Sequence, residues 1–352
     1  MATTFTPLRV ARVDHLTDDA VALTFDVPSE HADEFAFRPG QSITVRRRVD
    51  GREERRSYSI CSPAGARPRI GVREVSGGHV SGWLVHDVHP GDTVEALPPS
   101  GTFTPALGTA QRHVLIAAGS GVTPMLSIAV SLLADPGCYV TLVYGNRRTD
   151  SVMFADELAD LKDRFPSRFE LVHVLSREPR ESDVLSGRLD GDRLARLVDA
   201  LIPAADVDHW WLCGPYPMVE TARATLAERG VEPQRVHREL FYVEDTAPPA
   251  ATHADAAPDG PTTQVTIVLD GRATALSLPR GEAILDAAQH VRTDLPFSCK
   301  GGVCGTCRAK VTSGEVRMRR NFALDEDEIA AGFVLTCQAL PLSDEVTVDF
   351  DV

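Results

Sequence analysis

The chain has 352 residues, 43% of them hydrophobic, and a formal net charge of -14 at pH 7. That length and apolar content exceed one ordinary core and predict two or three folded units. The negative charge excludes the attraction that drives binding to nucleic acid or anionic membranes, and the opening MATTFTPLRV is neither a secretory leader nor the start of a membrane span, which predicts a cytoplasmic protein.

Residues 1–108 contain short alternating stretches such as VALTFDV and SITVRRRV, separated by Pro-Gly, Asp-Gly and Gly-Gly turn signals. Alternation buries one face of each strand, so an antiparallel β-barrel is expected. Two segments there carry chemistry. In Arg56-Ser57-Tyr58-Ser59 a guanidinium can pair with pyrophosphate, a phenol ring can pack on a flat heteroaromatic, and a hydroxyl can bond to its edge. In Gly77-Gly78-His79-Val80-Ser81-Gly82-Trp83-Leu84 a glycine turn can open a helix whose first amides face a phosphate; a plain turn capped by Ser81 is the alternative.

From 109 to 245 apolar strands (HVLIAAG, YVTLVYG, FELVHVLS, HWWLCG) alternate with helix-length segments such as ADELADLKDRF and PMVETARATLAERG, the rhythm of a parallel α/β sheet. Gly119-Ser120-Gly121-Val122-Thr123-Pro124 follows the first strand, so its amides are expected at a dinucleotide phosphate, although the third glycine of the usual fingerprint is missing. Arg147 and Ser176-Arg177 stand just after two strands, with no acidic residue placed to accept a ribose 2′-hydroxyl. Guanidiniums there favour NADPH over NADH, solvated surface charges being the alternative.

Residues 246–261, TAPPAATHADAAPDGP, are small, polar or proline and read as a linker. Residues 262–352 begin with two strand-like runs joined at Asp270-Gly271, a tight-hairpin signal, followed by EAILDAAQHV with helical spacing. Cys299, Cys304 and Cys307 then give Cys-x4-Cys-x2-Cys, with Cys337 downstream, the plant-type 2Fe-2S spacing. Seven cysteines without an export leader favour ligation over disulfides. A tetrahedral zinc site is the alternative, but zinc modules usually bring two short knuckles. Cys61 and Cys138 are expected to be ordinary buried residues.

These motifs, with Phe37-Arg38-Pro39-Gly40-Gln41 upstream and Cys213-Gly214-Pro215 at the end of HWWL, resemble the ferredoxin-NADP reductase family fused to a plant-type ferredoxin. The resemblance implies a multidomain α/β plus β chain: an FAD-binding antiparallel barrel (1–108), an NADP-binding parallel α/β sheet (109–245), a linker (246–261) and a β-grasp 2Fe-2S domain (262–352). It implies that Arg56, Tyr58, Ser59, Gly78, Val80, Ser81 and Phe241 hold FAD. Gly119, Gly121, Thr123, Pro124, Arg147, Ser176, Arg177, Cys213, Gly214 and Pro215 would hold NADPH, with Tyr58, Ser59 and Cys213 at the site of hydride transfer, and the four C-terminal cysteines would hold the cluster. More narrowly, Asn321-Phe322-Ala323-Leu324 and the segment Gly332 to Gln338 are similar to oxygenase reductases of the phenylacetyl-CoA epoxidase and steroid-hydroxylase kind. This implies an oxygenase partner, a multi-subunit di-iron epoxidase or another oxygenase; a flavin reductase carrying a zinc-stabilised interaction module is the reading from a different class. The acidic run Asp325 to Glu328 reads either as a docking surface or as solvated helix.

Overall fold

The computed structural model describes residues 5–49, 52–242, 262–269, 271–289, 291–292 and 295–352; the expected linker lies outside the described residues, as does Asp270 of the expected hairpin turn. Two compact units are formed, one of them Phe5–Tyr242 and the other containing the C-terminal residues.

The alternating N-terminal residues become β1 (Thr6–Thr17), β2 (Ala20–Asp26), β3 (Ser42–Val49), β4 (Arg52–Ser59) and β5 (Arg69–Arg73), then helix α1 (His79–His86) and β6 (Thr93–Ala96). They pair antiparallel in the order β4-β3-β6-β1-β2-β5, and an Ile60–Ile70 bridge brings the two ends of the sheet together as a barrel. Leu8, Leu23, Phe25, Ile43, Val45 and Ile70 fill it. Val80 and Leu84 of α1 pack into the same core, which fixes where the first turn of that helix points.

The next elements are β7 (Arg112–Ala118), α2 (Val122–Leu133), β8 (Tyr139–Asn146), α3 (Ala155–Arg164), β9 (Phe169–Leu175), α4 (Gly191–Leu201), β10 (His209–Pro215), α5 (Tyr216–Glu228) and β11 (Val236–Tyr242). The strands are all parallel, in the order β11-β10-β7-β8-β9. Strand order reverses between β7 and β10, and the crevice at that switch point, outside the strand ends, is where such sheets take ligands. α2 is buried along almost its whole length, and its Ser127 hydroxyl donates to Ser62 O of the barrel side at 2.6 Å.

The C-terminal unit comprises β12 (Thr262–Leu269), β13 (Arg272–Pro279), α6 (Ile284–Ala288), β14 (Arg308–Ser313), β15 (Val316–Met318), α7 (Glu326–Ala330), β16 (Phe333–Leu335), β17 (Ala339–Pro341) and β18 (Glu345–Asp349). Its main sheet runs β13-β12-β18-β14-β16, with β12 and β18 parallel and the rest antiparallel. Helical spacing predicts a longer helix over EAILDAAQHV than the short α6 observed. Ala283 is extended and Leu285 donates its amide to Thr336 O at 3.1 Å, so the start of the segment is tied to the strand beside Cys337.

Candidate redox site

Adjacent arginines on β4 have opposite fates. Arg55 is buried and ion-paired with Glu53 at 2.5 Å, under the ring of Phe5. Arg56 keeps 41% of its side chain exposed, with Glu54 at 3.5 Å, and is the one that can meet a ligand. Tyr58 lies on the same face two residues on, and burial pushes its phenol up, so it stays neutral.

At the start of α1, Gly78 is the N-cap, and a Cβ there would fall 2.6 Å from Ser81 Oγ. Ser81 Oγ accepts from Val75 N at 3.1 Å and donates to Gly78 O at 3.3 Å, so it braces the turn from the third residue of the helix and is not its N-cap. The Val80 side chain is 1% exposed in the barrel core, so only its backbone amide is available to a ligand. Arg47 and Trp83 edge an open cleft of about 380 Å³ beside this turn, with the guanidinium over the indole at 5.3 Å. The glycine-turn segment read from the sequence runs through Trp83 without giving it a role, and Arg47, inside a run of three arginines, is not singled out there.

Gly119–Gly121 and Cys213–Pro215 meet at the switch point. A Cβ on Gly121 would sit 2.2 Å from Cys213 O, so only glycine lets the turn after β7 lie this close to the end of β10. Gly119 has φ +55°, and its carbonyl accepts from the buried Tyr144 hydroxyl at 3.0 Å. Thr123 and Pro124 are both buried. The Thr123 hydroxyl donates to Ser120 O at 2.9 Å, so these two residues shape the turn from inside.

Cys213 is fully buried, and burial, reinforced by Glu239, raises its thiol well above the ordinary range. It therefore offers no thiolate nucleophile. Glu239 on β11 is in register with Cys213 and accepts from the Ser59 hydroxyl at 3.2 Å, bringing β4, β10 and β11 together. Burial pushes this carboxyl up to about 7, against the lowering effect of Ser59. Sequence reasoning missed Glu239; the available signal was one carboxylate inside the strand segment HRELF. Phe241 is half-buried and packs against the core that includes Cys213.

The Glu239 shift carries a linkage consequence. The unfolded chain releases this proton near 4.5, whereas the folded chain holds it to about 7. Stability from this group is therefore full below about 4.5 and is lost as pH rises to about 7, by at most about 3 kcal/mol because the residue is half-buried. Melting of the FAD-free protein between pH 5 and 8 is expected to show this slope, and Glu239→Gln to flatten it.

Arg147 and Arg177 project from neighbouring strand ends. Backbone bonds Ser176 N to Asn146 O (2.9 Å) and Arg177 N to Arg147 O (2.8 Å) tie the two ends together. Both arginines are exposed and have no ion-pair partner among the described residues, while Ser176 is half-buried between them.

In the C-terminal unit the four thiols form two hydrogen-bonded pairs, Cys299 with Cys304 and Cys307 with Cys337. The hydrogen bond from Cys304, and amide donors after it, bring Cys299 down to about 5, and Cys337 is lowered by Cys307. Gly301 N and Val303 N donate to Cys299 Sγ at 3.3 and 3.4 Å, and Cys299 N to Cys304 Sγ at 3.5 Å. Two thiol pairs with amides aimed at sulfur fit two irons bridged by sulfide better than one tetrahedral zinc. Cys61 and Cys138 are buried and donate to backbone carbonyls, outside this set. In the acidic run, Asp325 caps α7 by accepting from Glu328 N at 2.8 Å, and Glu328 pairs with Arg308 at 3.1 Å, so two of its four carboxylates are engaged within the unit.

A barrel flavin edge and a parallel-sheet nucleotide crevice within one unit, and paired thiols in the other, define a flavin-dependent reductase with an iron-sulfur module. The chain matches the family profiles for an oxidoreductase FAD-binding domain (residues 7–104), an oxidoreductase NAD-binding domain (115–224) and a 2Fe-2S iron-sulfur cluster binding domain (267–342). It is 42% identical to one of the subunits of the 1,2-phenylacetyl-CoA epoxidase of Escherichia coli K12, covering 99% of this chain and 98% of that one. It is 36% identical to the ferredoxin reductase component of 3-ketosteroid-9-alpha-monooxygenase of Rhodococcus rhodochrous, covering 97% and 96%. Phthalate dioxygenase reductase shares the fold with a TM-score of 0.60 and 27% identity over 98% of both chains. The chain belongs to this family of FAD- and 2Fe-2S-containing oxygenase reductases. No helix among the described residues is long and apolar enough to cross a membrane.

Proposed function

We propose that the chain takes hydride from NADPH and delivers electrons singly to a cytoplasmic oxygenase, the multi-subunit di-iron epoxidase that acts on phenylacetyl-CoA. The observation that carries the reading is the pairing of four thiols in a chain whose other unit joins Ser59, Cys213 and Glu239 at a nucleotide crevice. The full-length similarity to a component of an epoxidase supports the partner. In this reading residues 1–108 hold FAD, 109–245 hold NADPH, 246–261 link, and 262–352 hold the cluster.

Bound there, FAD would accept an electron pair and release single electrons, and the cluster would carry one at a time. The residues supply positioning. Arg56 and the α1 amides at Gly78, Val80 and Ser81 neutralise pyrophosphate, while Tyr58 and Phe241 pack against the ring system. In this reading Ser59 turns its one hydroxyl hydrogen from Glu239 to the ring edge when FAD is bound, and Glu239, near 7, can hold or release a proton beside it. Protonated Cys213, with Gly214 and Pro215, walls the nicotinamide side. The turn Gly119, Gly121, Thr123, Pro124 presents amides to pyrophosphate.

Arg147, Ser176 and Arg177 grip a 2′-phosphate in this reading. Removing one charge-assisted contact costs about 1.5–3 kcal/mol, so Arg177→Ala is expected to raise KM for NADPH by roughly 10–100-fold and leave NADH unchanged. Equal kinetics with both cofactors before and after the substitution would remove the NADPH assignment. For the partner, NADPH-dependent epoxidation of phenylacetyl-CoA by purified oxygenase subunits should require this chain. Full turnover without it, or transfer only to a ketosteroid hydroxylase, would redirect the assignment to the second reading that the Rhodococcus relative supports.

A further inference from the structure

One buried polar side chain beside the thiols is used by none of the chemistry above. Gln338, adjacent to Cys337, is 6% exposed. Its Nε2 lies 2.8 Å from Lys300 O and 3.8 Å from Cys337 Sγ. Both partners are acceptors, so the nitrogen of the amide must face them, spending one N–H on each.

The carbonyl it holds belongs to an unusual residue. Lys300 has φ +52°, a left-handed conformation that only one other non-glycine residue, Phe154, shares among the described residues. Lys300 follows a ligand directly, and its ammonium is fixed by Gln289 Oε1 at 2.6 Å and Asp286 at 2.9 Å. The Gln338 stem is held closely as well, since a Cβ on Gly302 would come within 3.1 Å of its Cγ. Gln338 thus bridges the loop of Cys299 and Cys304 to the distant ligand Cys337.

We infer that Gln338 is a positioning residue of the iron-sulfur site: one N–H pins the left-handed loop at Lys300, and the other is aimed at a ligand sulfur, favouring the reduced cluster. The inference rests on the four cysteines holding a 2Fe-2S cluster. A donor to thiolate sulfur withdraws charge and stabilises the added electron, so its removal lowers the potential.

The test uses full-length protein with FAD and cluster. Midpoint potentials are measured by anaerobic titration followed by electron paramagnetic resonance in wild type, Gln338→Leu and Gln338→Met, the last being nearly isosteric but without the donor. Both substitutions are expected to shift the one-electron equilibrium toward the oxidised form by about fivefold, ~40 mV at 59 mV per tenfold, with iron and sulfide content retained. Unchanged potentials in variants that hold cluster would overturn the inference. Pulsed resonance on wild type labelled with 15N in the glutamine side chain keeps it decidable if the variants lose the cluster: a nitrogen coupling to the reduced cluster is expected, and its absence overturns the role. Wild type lacking iron and sulfide would instead show that the cluster reading itself had failed.

Discussion

Replacing Cys307 with serine is expected to empty the iron-sulfur site while leaving the flavin half working. Cys307 is 2% exposed, its thiol pairs with Cys337, and its carbonyl accepts from both Thr336 N (3.1 Å) and the Thr336 hydroxyl (2.9 Å). A serine fits this pocket but is a poor ligand for iron that prefers soft thiolate. Iron and acid-labile sulfide should fall to near zero, and NADPH-driven reduction of a one-electron protein acceptor should fall with them. Reduction of a small acceptor that takes electrons from the flavin should persist, because Ser59, Cys213 and Glu239 lie in the other unit. Retention of cluster and acceptor activity in the variant would remove Cys307 from the ligand set.

Gly121→Ala is expected to damage the nucleotide crevice with comparable force. The added carbon would meet Cys213 O at 2.2 Å and Cys213 C at 2.6 Å, distances that a backbone contact cannot relieve by rotating a side chain. The turn Gly119–Gly121 must move away from β10 just where it faces Cys213–Pro215. Overpacking of this kind costs at least about 2–3 kcal/mol, or roughly 5–10 °C of melting temperature for a unit of this size. Pyridine-nucleotide binding should be lost even well below the melting temperature, and FAD content should be largely kept. A variant melting like wild type with unchanged KM would show that the close approach is dispensable.

How much of this was legible depends on sequence distance. The strands β7, β8 and β10 are largely apolar runs, because a parallel sheet covered on both faces needs them so, and such runs can be read directly. The cysteine loop was legible because ligand spacing is local. The arrangement of its thiols as two pairs was not, since it depends on how β14 and β16 place Cys337. Glu239 escaped for a similar reason: its partner Ser59 lies 180 residues away, and only the meeting of β4 with β11 gives that carboxyl its environment. Val80 shows the limit of motif transfer, because the motif marks a backbone amide while the side chain belongs to the barrel core.

The central claim is that electrons leave NADPH as a pair and reach the paired thiols one at a time. Anaerobic addition of NADPH to purified holoprotein, with flavin absorbance and the paramagnetic signal of a reduced 2Fe-2S cluster followed together, tests it most directly. The account predicts bleaching of the flavin and appearance of the cluster signal, in protein containing two irons and two sulfides per chain. Flavin bleaching with no cluster signal, or protein containing zinc and no labile sulfide, would contradict it.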